Sequence, residues 1–248
     1  MQFGWIKRTG AAAGVAALLS STPASADILR YDGAWYAPYY SSFTIRDTTP
    51  SPLSLGVYAG AFRMTDVSGP TLPAGSSFMA WCVDIYHHLD TSSAGAAYTR
   101  RSGNEFYGAG SPTTTRLEQL ASYVVDSDAN ALTTTLQSAL TGNLQSAAFQ
   151  LAVWEIVNEG TSAALNVISG DFYVTGSSAV TTLANQWLAN SQGWATTQHL
   201  AVWDGPNTTQ DLAVFAPIPE PQTFAMLLAG LGLMGFVARR RQRNLAAA

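Results

Sequence analysis

Cys82 is the only cysteine in 248 residues. A chain with one thiol closes no disulfide within itself, so its fold rests on packing and hydrogen bonds alone. The constraint matters because the chain begins like an exported one. Lys7 and Arg8 precede a short apolar run at 11–19, and "ASA" at 24–26 is a small-x-small cleavage site. Residues 1–26 therefore read as a cleaved secretory signal; the apolar run is too short and too alanine-rich for a membrane anchor. Exported proteins usually pair their thiols or lose them, so a solitary cysteine there needs a reason.

The opposite end carries a second pattern. Pro219, Glu220 and Pro221 open it, an apolar segment follows at 223–238, and Arg239, Arg240, Arg241 and Arg243 close it. Sixteen residues of helix rise about 24 Å, which is marginal for a hydrocarbon core of about 30 Å. The arginines would hold this end on the cytoplasmic side, and Pro221 marks the end of a linker or the start of the helix. The expectation is a single transmembrane helix at the C-terminus. This tail closely resembles the PEP-CTERM sorting signal of Gram-negative bacteria, many of them producers of exopolysaccharide. In that family an exosortase-type transpeptidase recognises and removes the tail. The resemblance implies that residues 217–248 are a sorting signal and that such a transpeptidase is a partner. It also implies a transient inner-membrane intermediate, followed by the cell surface or the extracellular matrix.

Between the two ends lie residues 27–216, enough for one domain with a real core. This body holds fifteen acidic residues against six arginines, a net charge near −9, and no lysine. Nucleic acid is excluded as a natural partner, since phosphate contacts need clustered cations. The missing lysine reads either as compositional drift or as the removal of internal amines that could attack a reactive bond. No cofactor motif or internal repeat is present.

The body changes character along its length. Residues 28–45, 54–67 and 76–89 are aromatic, β-prone and broken by Gly33 and Pro38, as strands are. Treating 76–89 as one strand puts Cys82, Asp84 and Tyr86 on one face, with Trp81, Val83 and Ile85 on the other. After Pro112 helical periodicity takes over. It predicts a helix over 113–129 opened by a threonine cap, a weak one over 131–140, a strong one over 144–160 ended by Gly160, and a fourth over 177–193. Strand character returns at 198–205 and 210–216. The order predicts an α+β fold, a β-sandwich or barrel-like framework with a helical insertion.

The helix over 144–160 is apolar around most of its circumference and should be buried. Gln150 lies within it, among Ala147, Val153, Trp154 and Val157. An unpaired buried amide costs about 1–3 kcal/mol, so Gln150 needs a partner. A backbone group or Asp84 would serve, and so would a covalent bond. Glu155 faces away from Gln150 and reads as structural. For Cys82, three histidines offer other chemistry. A cysteine hydrolase would pair it with His87, His88 or His199, but on a continuous strand His88 stands about 20 Å away, which leaves His199. A metal site on His87 and His88 would need Asp84 or Asp90 to complete it, and adjacent strand residues face opposite ways. The simplest reading is a buried thiol acting as a small hydrophobe.

"AWCVDIY" at 80–86 and "AFQLAVWEI" at 148–156 resemble the two signature motifs of the bacterial thioester domain: an aromatic residue, a cysteine and an apolar residue, then an apolar-Gln-x-x-apolar-apolar run. Some members carry threonine before the glutamine, where this chain has Phe149. The resemblance implies that the Cys82 thiol condenses with the Gln150 side chain, releasing ammonia. It implies a shielding environment from Trp81, Phe149 and Trp154, with Asp84 orienting a donor or accepting a proton. The thioester would then be opened by an amine or hydroxyl on a surface or matrix partner, once per molecule, so the protein is no turnover enzyme. The alternative is a non-covalent structural protein of the exopolysaccharide matrix with a buried free Cys82. Neither reading calls for a cofactor or a metal.

Overall fold

A computed structural model of the chain describes residues 26–36, 42–128, 134–159 and 164–217, together with Gly230, Leu231 and Met234. Six strands close into a barrel and three form a separate sheet. In chain order the elements are β1 (Asp27–Ala34), β2 (Phe43–Asp47), β3 (Leu53–Val57), β4 (Phe62–Asp66), β5 (Ser77–Cys82) and β6 (Ala96–Ser102). Helices α1 (Gly103–Tyr107), α2 (Pro112–Asp126), α3 (Leu136–Ala139) and α4 (Asn143–Asn158) follow. The chain ends with β7 (Phe172–Thr175), α5 (Ser178–Ser191), β8 (Gln198–Asp204) and β9 (Leu212–Pro217). The barrel order is β1-β4-β5-β9-β8-β6, with β6 returning to β1, and the small sheet runs β3-β2-β7. Every strand pairing is antiparallel.

Two cores result. Leu29, Met64, Ala80, Tyr98, Trp203 and Leu212 form one cluster. Each comes from a different barrel strand, so the cluster is the barrel interior. The larger core lies between the outer wall of the barrel, the small sheet and the helices, and contains Met79 and Trp81 of β5 with most of α4. Along β5, Ala80 serves one core while Met79 and Trp81 serve the other, the period-2 alternation of a strand buried on both faces. In α4, all eleven residues from Ser146 to Ile156 are buried. Its apolar residues circle the axis because β5, β7, α2 and α5 enclose it.

The α+β expectation holds in its barrel form, with the helices inserted between β6 and β8. The insertion also returns β7 to pair with β2 (Ile45 opposite Val174), a four-residue strand too short for its alternation to stand out in the sequence. The stretch 54–67 divides into β3 and β4, which belong to different sheets. The cap of α2 is Ser111, one residue before Pro112 at the first helical position, rather than a threonine. Of the weak helix over 131–140, residues 131–133 lie outside the described residues, and the described part holds the single turn α3. The expected strand over 76–89 ends at Cys82, where its pairing with β9 ends opposite Leu212 and the chain then turns.

No helix among the described residues is long and apolar enough to cross a membrane. The expected transmembrane segment at 223–238 lies outside them apart from Gly230, Leu231 and Met234. Residues 1–25 and the sorting residues Pro219, Glu220, Pro221, Arg239, Arg240 and Arg241 also lie outside the described residues.

Candidate functional site

The site begins where β5 outruns β4. Beyond Ala80 the β4-facing edge of β5 has no strand beside it among the described residues, yet Cys82 still presents its N–H and C=O there. On the other edge the ladder continues to β9, with Cys82 opposite Leu212 and the Val83 N–H donating to the Asp211 carbonyl at 3.0 Å. The alternation of an antiparallel pair turns the polar groups of Cys82 outward at this point. Gln150 fills the gap. Its Oε1 accepts from the Cys82 N–H at 3.0 Å and its Nε2 donates to the Cys82 carbonyl at 2.8 Å. One helical turn earlier, Ser146 Oγ accepts from the Ala61 N–H at 2.8 Å, at the start of β4. Ser146 and Gln150, four residues apart on one face of α4, therefore complete the backbone bonding that β4 and β5 leave open.

The partner of the buried amide is thus a backbone, and the residue that supplies it is Cys82 itself. Gln150 is 1% exposed and the Cys82 thiol is fully buried and free. Cys82 Sγ donates to the Asp84 carbonyl at 2.9 Å. Burial pushes the thiol up to about 12. The Trp154 indole opposes that shift by favouring the thiolate, while the Asp84 and Asp211 carboxylates add to it. Trp154 Nε1 has no hydrogen bond of normal geometry and is buried. It therefore stands as an uncommitted donor beside the sulfur, one turn along α4 from Gln150. Trp81 and Phe149 pack with ring centroids 4.8 Å apart, and Phe215 closes edge-on against both. These rings belong to the same buried cluster as Cys82.

The residues singled out from the sequence, Cys82, Gln150, Trp81, Phe149, Trp154 and Asp84, thus share one locality. Asp84 contributes through its backbone carbonyl to the sulfur. Its carboxylate turns to the Tyr86 N–H (2.8 Å) and to His87 Nδ1 (2.5 Å). His199 is placed elsewhere. It sits opposite Ala216 on β8, four residues or about 13 Å from Trp203, the residue level with Leu212 and Cys82, and it contacts Glu118. Among the described residues no group of three or more His, Cys, Asp or Glu is placed to hold a metal ion. Glu155 serves the fold: its Oε1 accepts from the Asn166 N–H at 2.6 Å.

Two nearby groups escaped sequence reasoning. Asp211, just before β9, is raised by burial and by Asp204 and Asp84, and His87 opposes that shift. The Tyr107 hydroxyl is buried without a partner and is raised by burial, then by Asp211 and Cys82. Asp211 lies far from Cys82 in sequence and reaches the site only through the β5–β9 pairing, for which no local pattern exists.

The C-terminal segment 217–241 matches the family described as the PEP-CTERM protein-sorting motif. That motif implies processing by an exosortase-type enzyme. No curated protein matches the chain. Among solved structures, the chain is similar to the N-terminal thioester domain of a surface protein from Clostridium perfringens, at 14% identity and TM-score 0.43, covering 71% of this chain and 100% of that one. A cysteine-to-alanine mutant of that domain matches at 12% identity and TM-score 0.44, covering 71% and 99%. The pilus-presented adhesin Spy0125 (Cpa) matches at 15% identity and TM-score 0.42, over 77% of this chain and 47% of that one.

Proposed function

We propose that Cys82 and Gln150 condense into an internal thioester, through which the chain attaches covalently to an amine or hydroxyl on a surface or matrix partner. The observation that carries this is the double hydrogen bond between the Gln150 amide and the Cys82 backbone, which holds the acyl group against the residue whose sulfur attacks it. Proximity of this kind turns an unfavourable amide attack into an intramolecular one. The thiolate adds to the Gln150 carbonyl carbon, ammonia leaves carrying a proton, and the C–S bond remains. The Cys82 N–H, already on Oε1, and the Trp154 indole supply donors for the charge that develops. An incoming nucleophile then takes the acyl group and releases the Cys82 thiol, once per molecule.

In this reading residues 1–26 direct export, 27–216 form the reactive domain, and 217–248 are the sorting tail that presents it at the cell surface. The inner membrane and the exosortase-type enzyme are transient partners. Intact mass tests it: the purified protein weighs one ammonia less than its sequence, and methylamine restores the difference.

A second reading has its own support. The amide has both its hydrogen bonds as it stands, and burial keeps the thiol protonated at neutral pH. A non-covalent structural protein of the exopolysaccharide matrix, with Cys82 as a buried hydrophobe, would keep both groups intact and show the full mass of its sequence.

A further inference from the structure

After Cys82 the chain leaves β5, bends through 85–87 and meets the β8–β9 loop where His88 bridges Thr209. This turn is tied down at both ends. Tyr86 Oη donates to Asp47 Oδ2 at 2.7 Å, anchoring it to β2. Asp84 anchors it from within: Oδ1 accepts from the Tyr86 N–H, Oδ2 holds His87 Nδ1 at 2.5 Å, and its carbonyl takes the Cys82 thiol at 2.9 Å. One residue thus connects the sulfur to an oriented imidazole. The Asp84 side chain is 16% exposed and the His87 side chain 44%, so the pair runs from the buried thiol outward to solvent. The carboxylate fixes Nδ1 and leaves Nε2 as the ring nitrogen open to an incoming group.

We infer that His87, oriented by Asp84, is the general base that activates the nucleophile attacking the Cys82–Gln150 bond. The role presupposes that thioester and adds a catalytic group to its opening. The steps balance. His87 Nε2 takes the proton of the incoming O–H or N–H as its lone pair adds to the Gln150 acyl carbon. The tetrahedral intermediate collapses, the C–S bond breaks, and the electron pair goes to Cys82 sulfur. The imidazolium returns its proton to that sulfur, directly or through water. The product thiol is the group that donates to the Asp84 carbonyl. A buried sulfur held well above neutrality cannot leave as a stable anion, so a proton donor at this position has work to do. Two carboxylates act on His87: Asp84 on its own turn, and Asp211 just before β9, with Asp204 of β8 acting on Asp211.

The test uses the purified full chain, wild type and His87→Gln. Glycerol serves as the probe, because its hydroxyl does not titrate near neutrality, and methylamine runs in parallel. Both proteins are expected to lose one ammonia equally, since His87 takes no part in closing the ring. Wild type should add glycerol at a rate that intact mass can follow. His87→Gln should react about 100-fold more slowly or worse. Asp84→Asn, which keeps the turn but weakens the hold on Nδ1, should also slow the addition while closing the ring as wild type does. Linked protein whose His87→Gln variant keeps the rate of wild type overturns the role of His87 alone. Wild-type protein of full, unlinked mass overturns both this role and the thioester.

Discussion

The Gln150 carboxamide takes the place of a β-strand beside Cys82, accepting from its N–H at 3.0 Å and donating to its C=O at 2.8 Å. The bonds that satisfy the end of β5 also hold the Gln150 side chain against the residue that carries the thiol, as the proposed thioester requires. Gln150→Ala should therefore be destabilising as well as unreactive. It strands a buried N–H and C=O at about 1–3 kcal/mol each. Urea unfolding at neutral pH, with Cys82→Ser as the control that removes reactivity but keeps the backbone bonds, checks this. The Gln150 variant should lose several-fold more stability than the Cys82 variant.

The Trp154 indole N–H favours the Cys82 thiolate, and it has no conventional acceptor. Trp154→Phe keeps an apolar ring and removes only that donor. The fold should tolerate it, as judged by circular dichroism. The fraction of molecules carrying the link, read by intact mass after equal times, should fall, because less thiolate is available to close the ring.

Glu155 tests the buried helix independently of the site. It is 0% exposed on α4, with Oε1 held by Asn166 and Oε2 without a partner. Burial, with Glu159 adding, raises it from 4.5 to about 8, against the pull of the Asn166 N–H. The folded protein keeps this proton where the unfolded chain releases it. Stability from this group is therefore full below about pH 4.5 and is lost as pH rises through about 8. Glu155→Gln retains the acceptor for Asn166 and cannot ionise. Its stability, measured by denaturant unfolding across pH 5 to 9, should lack this decline and exceed that of wild type at the alkaline end.

The tail makes a separate prediction. Glu220 lies in the Pro219–Pro221 motif, within the matched sorting segment 217–241. Replacing Glu220 with Ala should leave a C-terminal epitope tag attached in cells that remove it from wild type, as read on a blot of the membrane fraction.

Much of this architecture was legible in the sequence. A helix apolar on every side had to be buried, and a glutamine inside it had to find a partner. The open question was which one: a backbone group, Asp84 and a covalent bond would each serve. The choice follows from where β4 stops, a tertiary fact with no local signature. A second tertiary fact, the end of the β9 pairing, stops β5 at Cys82, where alternation ran on through His88 and put the histidines along a straight strand. The turn at 83–87 instead folds His87 onto Asp84. Asp211 and β7 were hidden for a related reason, since each is defined by a distant strand.

Intact mass spectrometry of the purified native protein tests the central claim most directly. The thioester predicts a mass one ammonia below that of the sequence, a Cys82 that resists a thiol reagent, and, after methylamine, a gain of one methylamine with a newly reactive thiol. A protein of full sequence mass that gains nothing from methylamine, and whose Cys82 is alkylated on unfolding without it, contradicts the account.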